Sequence, residues 1–181
     1  MRPEILNPLF GLIENLKGVG SRYNKLVCNL VGGSKIINLL WHLPSNIVDR
    51  TYDTPLNRAA AGRIWTGAVK IIEHQIPATK KQPYRVAAVD ESGTELTLNF
   101  FKYYKDSLSK SLPTGSRKAI SGKLETFNGR LQMNHPDYIT PPEMLPALKS
   151  VEPVYSLCAG VSNKTMLKIE QQALARVPDL P

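Results

Sequence analysis

Apolar positions along this chain follow two different periods, and the change between them divides it. Up to about residue 55 the spacing is helical. Leu9, Leu12, Ile13 and Leu16 fall on one helix face, and Leu26, Val27, Leu30 and Val31 on a second. Gly32-Gly33 ends that second helix, Ser34 is the expected N-cap of a third containing Ile36, Ile37, Leu39 and Leu40, and Pro44 stops it. A polar, small-residue connection follows up to Ala61.

From residue 62 to 140 the period becomes two. Strands are expected over 63–74 (bent at Gly67), 84–90, 95–100, 117–127 and 130–139. Leu108 and Leu112, four apart, mark a short helix over 103–112. Asn128-Gly129 joins the last two strands, because both residues tolerate positive φ. Five strands with a helix between the third and fourth is the order of an OB-fold, a small Greek-key barrel. Pro141 to Pro146 then reads as a stiff linker, and 162–176 as an amphipathic helix with Ser162 at its N-cap and Leu167, Ile169, Ala173 and Leu174 on its apolar face. The expected class is α+β, in three parts. Residues 1–61 form a helical, helix-hairpin-helix-like segment, 62–140 a five-stranded OB-fold barrel, and 141–181 a linker and helix leading towards a further domain.

Charge adds a partner to this picture. The 181 residues carry 23 Lys and Arg against 15 Asp and Glu, a net charge of +8. The excess is +3 over 1–61, +5 over 62–140 and 0 over 141–181. Such local excess is the footprint of a polyanion site. There is no run of about eighteen apolar residues to span a membrane. The N-terminus lacks the apolar core of a secretory signal, so a cytoplasmic protein is expected. Cys28 and Cys158 carry no partner motif and read as reduced thiols.

The aromatics say where the polyanion binds. Phe100-Phe101-Lys102-Tyr103-Tyr104-Lys105 holds four of the eleven Phe and Tyr residues. Rings beside cations suit unpaired bases, with stacking worth about 1–3 kcal/mol per base. Phe100 continues the inward alternation of Leu96 and Leu98, so it belongs to the core. That leaves Phe101, with Tyr103 or Tyr104, for stacking. On a barrel of this order Lys80, Lys81 and Arg85 in the first connection, and Asn128 and Arg130 in the last, flank the binding groove. Lys102, Lys105 and Lys123 complete the expected phosphate contacts. Gly18 and Gly20 in Leu16-Lys-Gly-Val-Gly, between two helices, resemble a helix-hairpin-helix turn whose N–H groups approach a phosphate; a plain inter-helix turn uses the same glycines.

No other pattern carries chemistry. The chain lacks a phosphate-cradling G-x-x-x-x-G-K-[ST] loop, and His42, His74 and His135 stand apart from any nucleophile and from one another. His135 reads as a residue that fixes a strand end by hydrogen bonding. Catalysis by this chain alone is not expected, and neither is a cofactor or a metal.

The ordered set Leu16-Lys-Gly-Val-Gly-Ser, 38–50 (Asn-Leu-Leu-Trp-His-Leu-Pro-Ser-Asn-Ile-Val-Asp-Arg), Gly122-Lys, 129–138 (Gly-Arg-Leu-Gln-Met-Asn-His-Pro-Asp-Tyr) and Glu152-Pro-Val-Tyr-Ser-Leu resembles the RecG family of ATP-dependent branch-migrating DNA helicases. The resemblance covers essentially the whole chain. It implies the N-terminal wedge module, an OB-fold placed at a replication fork or Holliday junction in recombination and repair. It also implies stacking aromatics at and after Phe101. ATP and Mg would belong to a helicase motor in cis, which these residues do not contain. The implied partner is branched DNA with single-stranded and double-stranded arms, bound by a monomer in the nucleoid of a bacterium. The rival expectation is an OB module that docks a motor or a replication factor.

Overall fold

Leu96, Leu98 and Phe100 point to one side of their strand, and the chain covers them by closing a barrel. The computed structural model describes residues 3–79 and 81–179, the side chains of Lys105 and Asp106 apart. In chain order its helices are α1 (Ser21–Val31), α2 (Ile36–Leu40), α3 (Lys105–Ser111), α4 (Leu145–Leu148) and α5 (Asn163–Leu174). The strands are β1 (Asn46–Asp49), β2 (Ile64–Gln75), β3 (Tyr84–Val89), β4 (Glu95–Phe100), β5 (Arg117–Phe127), β6 (Arg130–Asn134), β7 (Tyr138–Thr140) and β8 (Val151–Val154). Short 3-10 turns lie at Glu4–Phe10, Ile13–Asn15, Leu56–Arg58 and Pro142–Met144.

β2 does two jobs. Its first half, Ile64 to Lys70, pairs antiparallel with β5, and from Lys70 to Gln75 it pairs with β3. β3 and β4 form an antiparallel hairpin, β4 runs parallel to β6, and β6 returns antiparallel to β5. The ring β2-β3-β4-β6-β5 is thereby closed, with β7 added on β5. This is the expected five-stranded, OB-like barrel. Val69, Ile71, Val86, Leu96, Leu98, Ile120, Leu124 and Met133 fill it, and Leu108 of α3 and its C-cap Leu112 join the same core.

Several local expectations are corrected. The irregularity in β2 falls between Ile71 and Glu73, where the strand changes partner, and not at Gly67. Gly67 instead makes room for a ring, since a Cβ there would lie 2.4 Å from the Trp65 indole. The last expected strand is split at His135, whose φ is 48°, and at Pro136, which has no N–H to pair. At the N-terminus the expected first helix is two 3-10 turns, because Gly11 and Leu12 between them run extended, Leu12 bridging to Lys35. Ile13 N–H donates to Ser34 O at 2.9 Å and Ile36 N–H to Gly11 O at 3.0 Å. Lys35, not Ser34, caps α2, and Asn38 Oδ1 accepts from its N–H at 3.1 Å.

The chain forms two compact units, Met1–Ile47 with Pro153–Pro181, and Val48–Glu152. This division differs from the three consecutive segments expected. The C-terminal helix shares a core with the N-terminal helices: Met166, Ile169 and Ala173 of α5 are buried with Ile13, Leu16, Val27, Ile36 and Leu39. Gln172 closes the join, accepting from Lys17 N–H at 2.8 Å and donating to Lys17 O at 3.1 Å. The face of α5 is turned slightly from the one expected, so Leu174 is exposed and Glu170 is buried. Ser162 caps α5 as expected, its hydroxyl accepting from Thr165 N–H.

In the barrel unit, Arg50 is only 5% exposed. Its guanidinium donates to Glu152 at 2.8 Å, Asp137 at 2.9 Å and the Ser121 hydroxyl at 3.1 Å, and lies 4.8 Å from the Tyr138 ring centre. Burial opposes the charge, but the hydrogen bonds and charges of Glu152 and Asp137 outweigh it and hold the guanidinium above its ordinary pKa. Tyr138 donates to the same Glu152, and burial with that bond pushes its pKa up to about 12.

Two predictions arise here. Arg50→Ala leaves two carboxylates facing each other without their cation, so it should destabilise the barrel unit by about 3–5 kcal/mol, read as a lowered urea midpoint. Glu170 carries the second. Burial pushes its carboxyl up to about 7 from an ordinary 4.5, and Oε1 has no partner. The native state therefore holds this proton more tightly than the unfolded chain does, and stability falls as pH rises from about 4.5 to about 7. Glu170→Gln should melt higher than the parent at pH 8, and the gap should close at pH 4; an equal gap at both values would refute the assignment.

Candidate nucleic-acid interface

Alternation puts Glu95, Thr97 and Asn99 of β4 on the outside of the barrel. Across from them stand Ala87 and Arg85 of β3 on one side and Gln132 and Asn134 of β6 on the other. The faces of β2, β3, β4 and β6 frame a cleft of about 870 Å³, lined by Arg85, Thr97, Asn99, Phe127, Arg130 and Gln132 among others. At one lip the hairpin turn is built from Asn128 (φ 49°) and Gly129 (φ 75°), leaving the Phe127 ring exposed beside it. Phe127 was not singled out from the sequence. Its signal was available, however, as an aromatic immediately before an Asn-Gly turn.

β4 ends by splitting two adjacent rings. Phe100 is 7% exposed and packs into the barrel, whereas Phe101, next in the outward alternation, is 55% exposed. His135 holds this end. Its N–H donates to Asn99 O at 2.9 Å, and its Nε2 accepts from Phe101 N–H at 3.0 Å, which places the ring proton on Nδ1. The His135 ring lies 5.9 Å from Phe100 and 5.8 Å from Phe101, centre to centre. The backbone of Phe101 is thus pinned while its ring is free to be covered.

The two tyrosines separate. Tyr103 sits half-buried, edge-on to Tyr84 at 5.0 Å, as part of the wall. Tyr84 is itself fixed by His74, whose Nδ1 lies 2.9 Å from the phenol oxygen and whose Nε2 lies 2.7 Å from Leu112 O. Tyr104, at the N-cap of α3, is 87% exposed. Of the three rings expected to stack, Phe101 and Tyr104 face solvent and Tyr103 does not.

The expected phosphate contacts also divide. Arg85 and Arg130 line the cleft, where Glu73 and Glu95 balance their charge. Lys81, Lys102 and Lys123 are exposed but are not among the lining residues. Lys80 lies outside the described residues, as does the side chain of Lys105. Gly18 (φ 86°) and Gly20, the N-cap of α1, belong to the other unit. Asn24, in the first turns of α1, is engaged locally with Glu14 and the Cys28 thiol. Among the described residues no group of three His, Cys, Asp or Glu side chains could hold a metal ion. No described helix is long and apolar enough to cross a membrane.

The family profile described as RecG wedge domain matches residues 12–177. The ATP-dependent DNA helicase RecG of Pasteurella multocida (strain Pm70) is 26% identical over 167 residues, covering 90% of this chain and 23% of that protein. RecG of Escherichia coli (strain K12) is 27% identical over 167 residues with the same coverage. The chain therefore spans about a quarter of the length of these curated relatives. A solved structure of RecG bound to a three-way DNA junction superposes with a TM-score of 0.72 at 25% identity, over 91% of this chain and 22% of that one.

The geometry separates buried rings from exposed ones, and the two kinds carry different expectations. Phe100→Ala should destabilise the barrel by about 3–5 kcal/mol. Phe101→Ala and Tyr104→Ala should leave the thermal melt unchanged, and each should weaken forked-DNA binding by about 1–3 kcal/mol. Tyr103→Ala should lower the melting temperature instead. An early melt for Phe101→Ala, or undiminished DNA binding by both exposed-ring variants, would sink the assignment.

Proposed function

The chain belongs to the RecG wedge domain family, and we propose that it is the structure-selective DNA-binding module of a RecG-type branch-migrating helicase, acting at replication forks and Holliday junctions. The observation that carries this reading is the end of β4, where one ring is buried and the next is exposed on a backbone pinned by His135. A rigid closed barrel resists being squeezed between diverging strands. Phe101 and Tyr104 then cover the terminal unpaired bases, and Lys81, Lys102, Lys123, Arg85 and Arg130 hold the backbones of the arms. Selection is by the shape of the junction, since phosphate contacts position without reading sequence. ATP and Mg are the business of a motor in cis, as the greater length of the relatives supports. The expected setting is the bacterial nucleoid, with the chain as a monomer.

A second reading draws on the exposed Trp41 and Leu43 of the helical unit, which suit a protein-docking module for a motor or a replication factor. Salt separates the two readings. Phosphate binding weakens steeply as salt rises, because each neutralised phosphate releases counter-ions, whereas an apolar interface does not weaken in this way.

The test is a titration of the purified chain against forked DNA and a blunt duplex of equal length, at two salt concentrations. Forked DNA should bind more tightly, with affinity falling at the higher salt, and no ATP should be turned over with either DNA. Equal affinity for both, or none for either, would count decisively against the proposal.

A further inference from the structure

We propose that His135 is a positioning residue for the Phe101 ring, and that its hold is released on acidification, when the imidazole loses its acceptor; this rests on reading Phe101 as a stacking ring. The end of β4 calls for a side chain at this point. Asn99 pairs with Asn134 of β6, and Phe100 with Tyr84 of β3, and these are the last pairs of the strand. The Phe101 N–H comes after both. β6 offers it no carbonyl, because the chain leaves that strand through His135, at a φ of 48°, and Pro136. A backbone donor past the end of a ladder needs another partner.

His135 supplies it from two sides. Its backbone N–H donates to Asn99 O at 2.9 Å, and its Nε2 accepts from Phe101 N–H at 3.0 Å. Its ring stands edge-on to Phe100, at 82°, and tilted by 36° to Phe101. One imidazole therefore touches both the inward ring and the outward one. The left-handed backbone that brings it there is strained for a residue other than glycine, and strain of this kind gathers at sites where geometry serves a contact.

The hold depends on the charge of the imidazole. With its one proton on Nδ1 the neutral ring offers Nε2 as an acceptor, whereas the imidazolium carries N–H on both nitrogens and accepts nothing. A second proton would set two donors against each other, so the pair must part and the Phe101 backbone loses its tether. Imidazole is the side chain that changes charge between about pH 5 and 8, and His135 is exposed, so protons reach it. The charged groups at this end are Lys102, next after Phe101, and Asp137, whose carboxylate Arg50 holds at 2.9 Å. On β5 they are Glu125, bonded to Asn134, and Lys123, beside the Gly122 that packs on Pro136. A released ring must be ordered again before it can cover a base, and its share of binding falls accordingly.

The test is the loss of fork affinity caused by Phe101→Ala, measured on the whole chain at pH 8 and at pH 5. Comparing chains at one pH cancels the charge that His42 and His74 add on acidification. The loss should be about fivefold or more at pH 8 and within about twofold at pH 5. In a His135→Gln background the amide oxygen takes the place of Nε2 and does not titrate, so the loss should be the same at both pH values. In His135→Leu it should be within about twofold at both. In the free parent chain the Phe101 amide resonance should move with the His135 ring protons across this range, and in His135→Gln it should stay in place. A loss equal at both pH values in the parent, a fall at pH 5 that persists in His135→Gln, or an undiminished loss in a folded His135→Leu would overturn the proposal and leave the stacking reading standing. An amide resonance that ignores the ring would do the same. If His135→Leu does not fold, the Gln variant and the parent's pH profile decide. No loss from Phe101→Ala at pH 8 would sink the stacking reading, and this proposal with it.

Discussion

A guanidinium almost free of water holds the barrel unit's outer segments to its strands. Arg50 takes Glu152 from just after the 141–150 stretch, Asp137 from between β6 and β7, and Ser121 from β5, each by a hydrogen bond. Three stretches distant in sequence converge on one side chain, whose rigid planar fork donates from two separate nitrogens. The Ser121 hydroxyl in turn lies 2.8 Å from Thr66 on β2, so the network reaches the strand pair that closes the barrel. Burying such a pair adds little net stability over apolar packing, but breaking it strands a charge. Its value is in fixing which segments lie together.

Closure matters because the candidate site sits on the barrel's outside. With β2 paired on both sides the sheet has no floppy edge under the cleft. Register then decides which atoms the face presents. Asn99 stands opposite Arg85 and Asn134, and one residue of slip would turn Phe100 outward and Phe101 inward. His135 guards against that slip by bonding both Asn99 O and Phe101 N–H, at the cost of a left-handed backbone that non-glycine residues seldom adopt. The resemblance of residues 129–138 to the family thus has a physical content: His135, Asp137 and Tyr138 lock the strand end and the Arg50 network together.

Much of the barrel was legible in the sequence. β4 and β5 run over the residues that alternation marks, the Asn128-Gly129 turn adopts its two positive φ values, and Phe100 goes inward as the parity of Leu96 and Leu98 requires. Period two reports which face a residue is on, but not which strand lies beside it. The parallel pairing of β4 with β6 was therefore invisible, and with it the side-chain hydrogen bonds that link Asn99, Gln132, Asn134 and Glu125. Parity also ends where the strand ends, so it could not choose between Tyr103 and Tyr104. The choice was made by Tyr84, whose edge-on contact draws Tyr103 into the wall. The return of α5 to the N-terminal helices escaped for a similar reason: helical spacing names a buried face without naming what covers it.

Charge and chemistry are laid out in different places on the barrel unit, and this shapes how the surface must work. The cleft balances Arg85 and Arg130 against Glu73 and Glu95, so a strand lying in it gains little from counter-ion release. Lys81, Lys102 and Lys123 are exposed and lie outside the cleft lining. Their pull reaches only about 10 Å at moderate salt before screening removes it. Attraction by exposed lysines is then salt-sensitive and indifferent to structure. On the proposed reading, stacking on Phe101 and Tyr104 is short-ranged, nearly salt-insensitive and offered to unpaired bases. Raising salt strips the first away and leaves the second, so preference for an opened strand over a closed duplex should widen even as total affinity drops.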